Sequence, residues 1–403
     1  MPHLSPHEPL TLAELASLLR SKEAVRLSPT AEQYLGAQPT PRASAAEEAP
    51  ATKDLGASQE AASLLTALAV GTGPELPAAL VRRLLLLAAY RLGRTDATAG
   101  PVVRRLLDFY SREVWPLVYE QGSLGAGHDQ VPLAHLALPL LGLGEVNYQG
   151  YRLATADVLE LFGWAPPLVS PALALGLLSG SDFTLAYATE ALERAEHLLR
   201  AAAVIGVAPT ADLAVSLADV RPVLEAACNA PGEPAPTSAE LLTSPSTSAS
   251  DLDNALNHLA HTAAQAGTQS AQRLAGLVAQ PGHLAAEPAQ QLGFLALPRA
   301  AASLVHLLNA GSSPLILSGA AAALGARRTV ELTEQLLGLE LLAAAQALDL
   351  RAPAAPDLGP APAAALARAV AAFREHVTFA AHDRVLAPDL HRAARFVREY
   401  AWA

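Results

Sequence analysis

Residues 78–92 read AALVRRLLLLAAYRL and follow Pro77, a residue favoured at helix starts. This run predicts a helix, and the helical pattern continues through residues 102–110. The same period recurs on both sides. Leu12, Leu15, Leu18 and Leu19 follow a 3,4 spacing, and Thr11 with Glu14 matches a capping box. Residues 184–204 are amphipathic: Leu185, Leu192, Leu198 and Leu199 face one way, while Glu190, Glu193, Arg194 and Glu196 lie largely on other faces. Residues 251–278 carry the stripe Leu252, Leu256, Leu259 and Ala263, with Ser250 as the expected N-cap. Residues 329–350 are rich in Leu, Ala, Glu and Gln, all good helix formers. No alternating run of Val, Ile and Thr signals a strand. The fold class expected is all-α, with long helices bundled.

Composition bounds the function. Of 403 residues, 51% are hydrophobic and 16% charged, against about 25% charged in an average soluble chain. That balance excludes wholesale disorder. Aromatics make up only 4%, so the core must be aliphatic. A net charge of -11 with no local basic patch argues against a nucleic-acid partner. The single cysteine, Cys228, excludes an intramolecular disulfide and a cysteine-based metal cage. Residues 1–10 hold no apolar run and are no signal peptide, so a cytoplasmic protein is expected. Residues 300–326 contain no Asp, Glu, Lys or Arg, but Asn309 to Pro314 reads as a turn. Neither side reaches the roughly 20 apolar residues of a membrane span, so a buried helix pair and no membrane association are expected.

Three polar, proline-rich stretches punctuate the chain: residues 36–60, 231–251 and 351–364. Such composition cannot bury enough apolar surface to offset chain entropy, and it reads as linker or loop. The expected organisation is an N-terminal helical segment over 1–35, a flexible linker over 36–60, a helical region over 61–230, a flexible loop over 231–251, and a C-terminal helical bundle over 252–403.

Residues 119–146 read YEQGSLGAGHDQVPLAHLALPLLGLGEV. This segment resembles the heart of the aromatic amino acid ammonia-lyases, the family of histidine and phenylalanine ammonia-lyases. There a Gly-Ser-x-Gly turn leads into Ala-Ser-Gly and then Asp-Leu-x-Pro-Leu-Ala-His. Here Gly122-Ser123-Leu124-Gly125 leads into Ala126-Gly127-His128, then Asp129-Gln130-Val131-Pro132-Leu133-Ala134-His135, in ungapped register. Other blocks follow in the family's order: AVGTGPELP at 69–77, LLSGS at 177–181, LELLAAAQALDLR at 339–351 and DRVLAPDL at 383–390. The resemblance implies the long-helix bundle of the histidine ammonia-lyase fold, usually a homotetramer.

It also implies a site, and the site departs from the pattern. In the family the Ala-Ser-Gly residues cyclise to a methylidene-imidazolone whose exocyclic carbon is the serine β-carbon. The positions of that triad are Ala126, Gly127 and His128. Gly127 has no β-carbon, and His128 replaces the glycine whose amide closes the ring. The expectation is that no such cofactor forms. The family's Leu-Leu-Asn-Gly-Thr asparagine aligns with Ser179, its preceding Lys-Glu with Ala172 and Leu173, and its Gln-Glu-Asp-His block with Ser312 to Leu315. Its tyrosine loop falls on the 36–60 linker, which holds no tyrosine; Tyr34 lies just before it.

The resulting expectation is an ammonia-lyase-like protein with lost activity, acting as a structural or regulatory subunit. It would form a homo-oligomer or a mixed oligomer with a related lyase. Two alternatives stay open. One is a remodelled enzyme with acid–base or metal chemistry around His128, Asp129 and Ser179, with His135 two helical turns from His128. The other is an active amino acid ammonia-lyase. No metal site is expected: His258 and His261, three apart on a helix, read as solvated side chains, and His135 as inherited scaffold. Gly71 and Gly73 are too few for a phosphate loop. Asp129 is expected to hold the turn by hydrogen bonds.

Overall fold

A computed structural model describes residues 2–21, 23–36, 50–123, 129–206, 211–230, 250–279, 284, 292–311, 317–350 and 360–402. It is predominantly helical, as the residue pattern predicts. The chain divides into two compact units.

The first unit comprises Met1–Thr189, Pro222–Asp253 and Ser318–Ala323. The helix Ala78–Thr95 runs through it with Leu80, Leu84, Leu85 and Leu86 fully enclosed, which is why its sequence is apolar on nearly every face. It packs on the helix Gly100–Ser111. The helix Leu12–Arg20 opens with the capping box: the Glu14 amide donates to Thr11 Oγ1, and the Thr11 amide donates to the Glu14 carboxylate. The helix Asp251–Val278 has a similar start, with the Asp253 amide donating to Ser250 Oγ and the Ser250 amide to Asp253 Oδ2.

One element lies where a linker was expected. The helix Pro50–Leu68 begins inside the polar stretch 36–60. Ala61 and Leu65, one turn apart, are fully buried, and the helix packs on Gln130–Ala137 and Pro171–Leu178. Two well-placed apolar residues and tertiary contact outweigh a polar composition. Residues 37–49 and 231–249 of the expected loops lie outside the described residues.

Short strands also occur without a sequence signal. Thr72–Glu75 pairs antiparallel with Tyr119–Gln121. Val114–Pro116, Glu145–Tyr148 and Tyr151–Ala154 form a three-stranded antiparallel sheet. Gln149 and Gly150 make its hairpin turn with φ of 54° and 84°, the left-handed conformations such two-residue turns use. Strands of three or four residues are too short for a period-two pattern to show.

The second unit comprises Glu190–Arg221, Asn254–Leu317 and Leu324–Ala403. Leu336, Leu337, Leu341, Phe373, Val377 and Val397 form part of its core. Glu340, 2% exposed, accepts from Ser270 Oγ at 2.7 Å and Arg273 Nε at 2.6 Å, which ties two helices together. Glu334, equally buried, accepts from Arg194 at 2.7 Å and Arg398 at 3.1 Å. The helix Gly319–Leu350 starts earlier than the predicted 329. The helix Pro360–Arg374 begins within the predicted loop 351–364. The helix Leu297–Gly311 corrects the expected buried pair. Ala301 and Leu308 are buried, but Leu307 is 46% exposed, alongside exposed Ser303, His306 and Asn309. A face can be solvated by uncharged polar groups, so lack of charge did not mean burial. No helix among the described residues is long and apolar enough to cross a membrane.

Candidate active site

The first unit gathers the predicted motif around Asp129. The strand Tyr119–Gln121 delivers the chain to Gly122, whose φ is 139°. A β-carbon there would lie 2.4 Å from Val131 Cγ1, so only glycine fits. Next comes Ser123, whose hydroxyl donates to Asp129 Oδ1 at 2.7 Å. Ala126, Gly127 and His128, the positions of the cofactor triad, lie outside the described residues, as do Leu124 and Gly125.

Asp129 is fully buried just before the helix Gln130–Ala137. It does not cap that helix. Its Oδ2 accepts from the Thr184 amide at 2.8 Å and its Oδ1 from Thr184 Oγ1 at 3.1 Å. Thr184 lies in the first turn of the helix Asp182–Ile205, where backbone amides have no partner within the helix. Asp129 therefore satisfies the start of a helix 55 residues away. Burial pushes its carboxyl pKa up to about 6; the Ser123 and Thr184 hydrogen bonds oppose the rise, and the nearby Asp182 charge adds to it.

Ser179 is buried at the end of the helix Pro171–Leu178, and its hydroxyl donates to the Leu175 carbonyl at 2.7 Å. Leu173, on the same helix, is 5% exposed. Two carbonyls of this helix, those of Gly176 and Leu177, accept from Arg91 at 2.9 and 3.4 Å. Arg91 also pairs with buried Asp182 at 2.8 Å. These contacts link the end of one helix to the start of the next.

His135 Nε2 accepts from the Gly71 amide at 3.0 Å. With Nε2 accepting, the neutral ring carries its proton on Nδ1. Burial lowers the ring's pKa, which favours this neutral form. Tyr119 meets the ring edge-on at 5.1 Å between centroids. A β-carbon on Gly71 would come within 2.9 Å of Nε2, so the AVGTG segment needs glycine there for close approach. Tyr34 is 48% exposed and stands edge-on to His7. His258 and His261 are exposed, and no cluster of three or more metal-ligating side chains occurs among the described residues. Ala172 is exposed, and Ser312 to Leu315 lie outside the described residues.

The fold and the motif agree with comparison to known proteins. The sequence model for aromatic amino acid lyases matches residues 45–244. A histidine ammonia-lyase of Bradyrhizobium diazoefficiens is 28% identical over 422 residues, spanning 83% of this chain and 80% of that protein. The chain belongs to the aromatic amino acid lyase family. Histidine ammonia-lyase from Photobacterium profundum is 37% identical over 145 residues, which is 36% of this chain and 28% of that one. Among solved structures, histidine ammonia-lyase from Trypanosoma cruzi superposes with a TM-score of 0.78 at 19% identity, covering 99% of this chain and 93% of its own. Tyrosine aminomutase from Streptomyces globisporus also reaches 0.78, at 17% identity, covering 99% and 97%.

Within this family member, sequence reasoning missed the groups that hold the site from a distance. Thr184, Arg91 and Asp182 belong to no motif identified above. Nor does Tyr187, whose phenol donates to the carboxylate of Glu120, inside the quoted 119–146 stretch, at 3.1 Å. A buried acid at a helix start, such as Asp182, is a weak signal that a cation must be found for it.

Proposed function

We propose that this family member is catalytically degenerate and serves as a structural or regulatory oligomer subunit. Gly127 carries this reading. The residues present do not fit a methylidene-imidazolone, because the β-carbon that would become its methylene is missing. The polar groups nearby support the same conclusion. The Ser179 hydroxyl is turned onto its own helix, and Leu173 is a buried apolar side chain where the family carries a charge. A homo-oligomer, tetramer before dimer, or a mixed assembly with a related lyase would be its working form.

The test is an absorbance assay for urocanate, cinnamate or 4-hydroxycinnamate released from histidine, phenylalanine or tyrosine respectively, together with the intact mass of the purified chain. The expected result is no turnover and an unmodified mass. Turnover by pure protein with a mass lowered by loss of water would overturn the proposal.

A further inference from the structure

The second unit carries a groove that takes no part in the family's motifs. It has a volume of about 360 Å³ and lies between the helices Asp182–Ile205, Ala211–Ala218 and Val220–Cys228. This falls within the roughly 300–1,000 Å³ of small-molecule sites, which are mostly apolar with a few placed polar groups. Leu199, Ala203, Ala214, Leu217 and Ala218 supply the apolar wall.

The charges at the rim are specific. Arg221 and Glu196 also line the groove and neutralise each other, with Arg221 Nη2 donating to both Glu196 oxygens at 2.7 and 2.8 Å. Arg200, one turn beyond Glu196 on the same helix, is exposed and has no hydrogen-bond or ion-pair partner among the described residues. Among the described residues the rim therefore presents one uncompensated guanidinium. A single carboxylate matches that fork, whereas a dianion would also face the Glu196 carboxylate. The aliphatic wall requires an apolar body behind the anionic head.

We propose that this groove binds an amphiphilic monocarboxylate, its chain along Leu199 and Leu217 and its head on Arg200. The test is calorimetric titration of the full chain with octanoate, with 1-octanol as the uncharged isostere and inorganic phosphate as the dianion. Octanoate is expected to bind saturably at one site, 1-octanol at least tenfold more weakly, and phosphate not to compete. Arg200→Gln should weaken octanoate at least tenfold and leave 1-octanol unchanged. Ala218→Phe, which fills the groove, should abolish binding of both. Circular dichroism establishes that each variant keeps its helix content, and Arg200, being exposed, carries no core packing to lose. Equal binding of octanoate and 1-octanol, competition by phosphate, or no effect of Arg200→Gln would overturn the assignment.

Discussion

Asp129 carries a cost that pH can reveal. Its pKa is about 6 in the folded protein against an ordinary 3.8. A raised folded value means that the fold favours the protonated form. The contribution is full below pH 3.8 and is lost as pH rises through about 6. The shift corresponds to a loss on the order of 2–3 kcal/mol. Asp129→Asn removes the titration, although its amide also changes the hydrogen bonds by a pH-independent amount. Urea unfolding from pH 4 to 7.5 should therefore show the wild type losing stability relative to Asp129→Asn across this window; a constant difference would refute the assignment. Gly122 makes a second residue-scale prediction. Gly122→Ala must adopt a φ of 139° and press on Val131. The backbone alone costs about 1–3 kcal/mol. Adding Val131→Ala should recover the steric part but not the backbone part. A Gly122→Ala protein as stable as wild type would show that the turn can relax.

Helix ends carry the organisation at the scale of elements. Arg91 reaches the last carbonyls of Pro171–Leu178 and the acid that opens Asp182–Ile205. Asp182 is only 2% exposed, so removing its cation leaves a buried charge without its salt bridge. Arg91→Met should destabilise the protein by about 3–5 kcal/mol. Arg91→Met with Asp182→Asn should recover a large part of that loss, because the orphaned charge goes too. Thermal unfolding of the single and double variants decides this: purely additive losses would mean that the two side chains act independently.

For the intact protein, the proposed assembly makes a prediction of mass. Exposed apolar side chains include Tyr151, Leu161, Leu168, Leu292 and Leu307. Closed symmetric assemblies are the common form of oligomers, and such an assembly would cover side chains of this kind. Static light scattering at micromolar concentration should give a mass near four times 41.6 kDa, or twice that for a dimer. A stable monomer would overturn the proposed assembly.

The helical class was legible in the residues alone, because apolar spacing and caps are local. Thr11 with Glu14 and Ser250 with Asp253 form within four residues of chain and were legible, or partly so, before any fold was known. The family was legible too, through an ungapped run from Gly122 to His135, as was the absence of a β-carbon at Gly127. Composition misjudged the start of Pro50–Leu68, where burial of Ala61 and Leu65 decided the helix. What the residues around the site touch was settled by the packing of distant helices. Asp129 meets Thr184 across 55 residues, Gly71 meets His135 across 64, and Arg91 meets Asp182 across 91. No local period records such pairs. Each arises because folding withdraws a polar group from water, and the group must then take whichever partner the packed helices bring within reach.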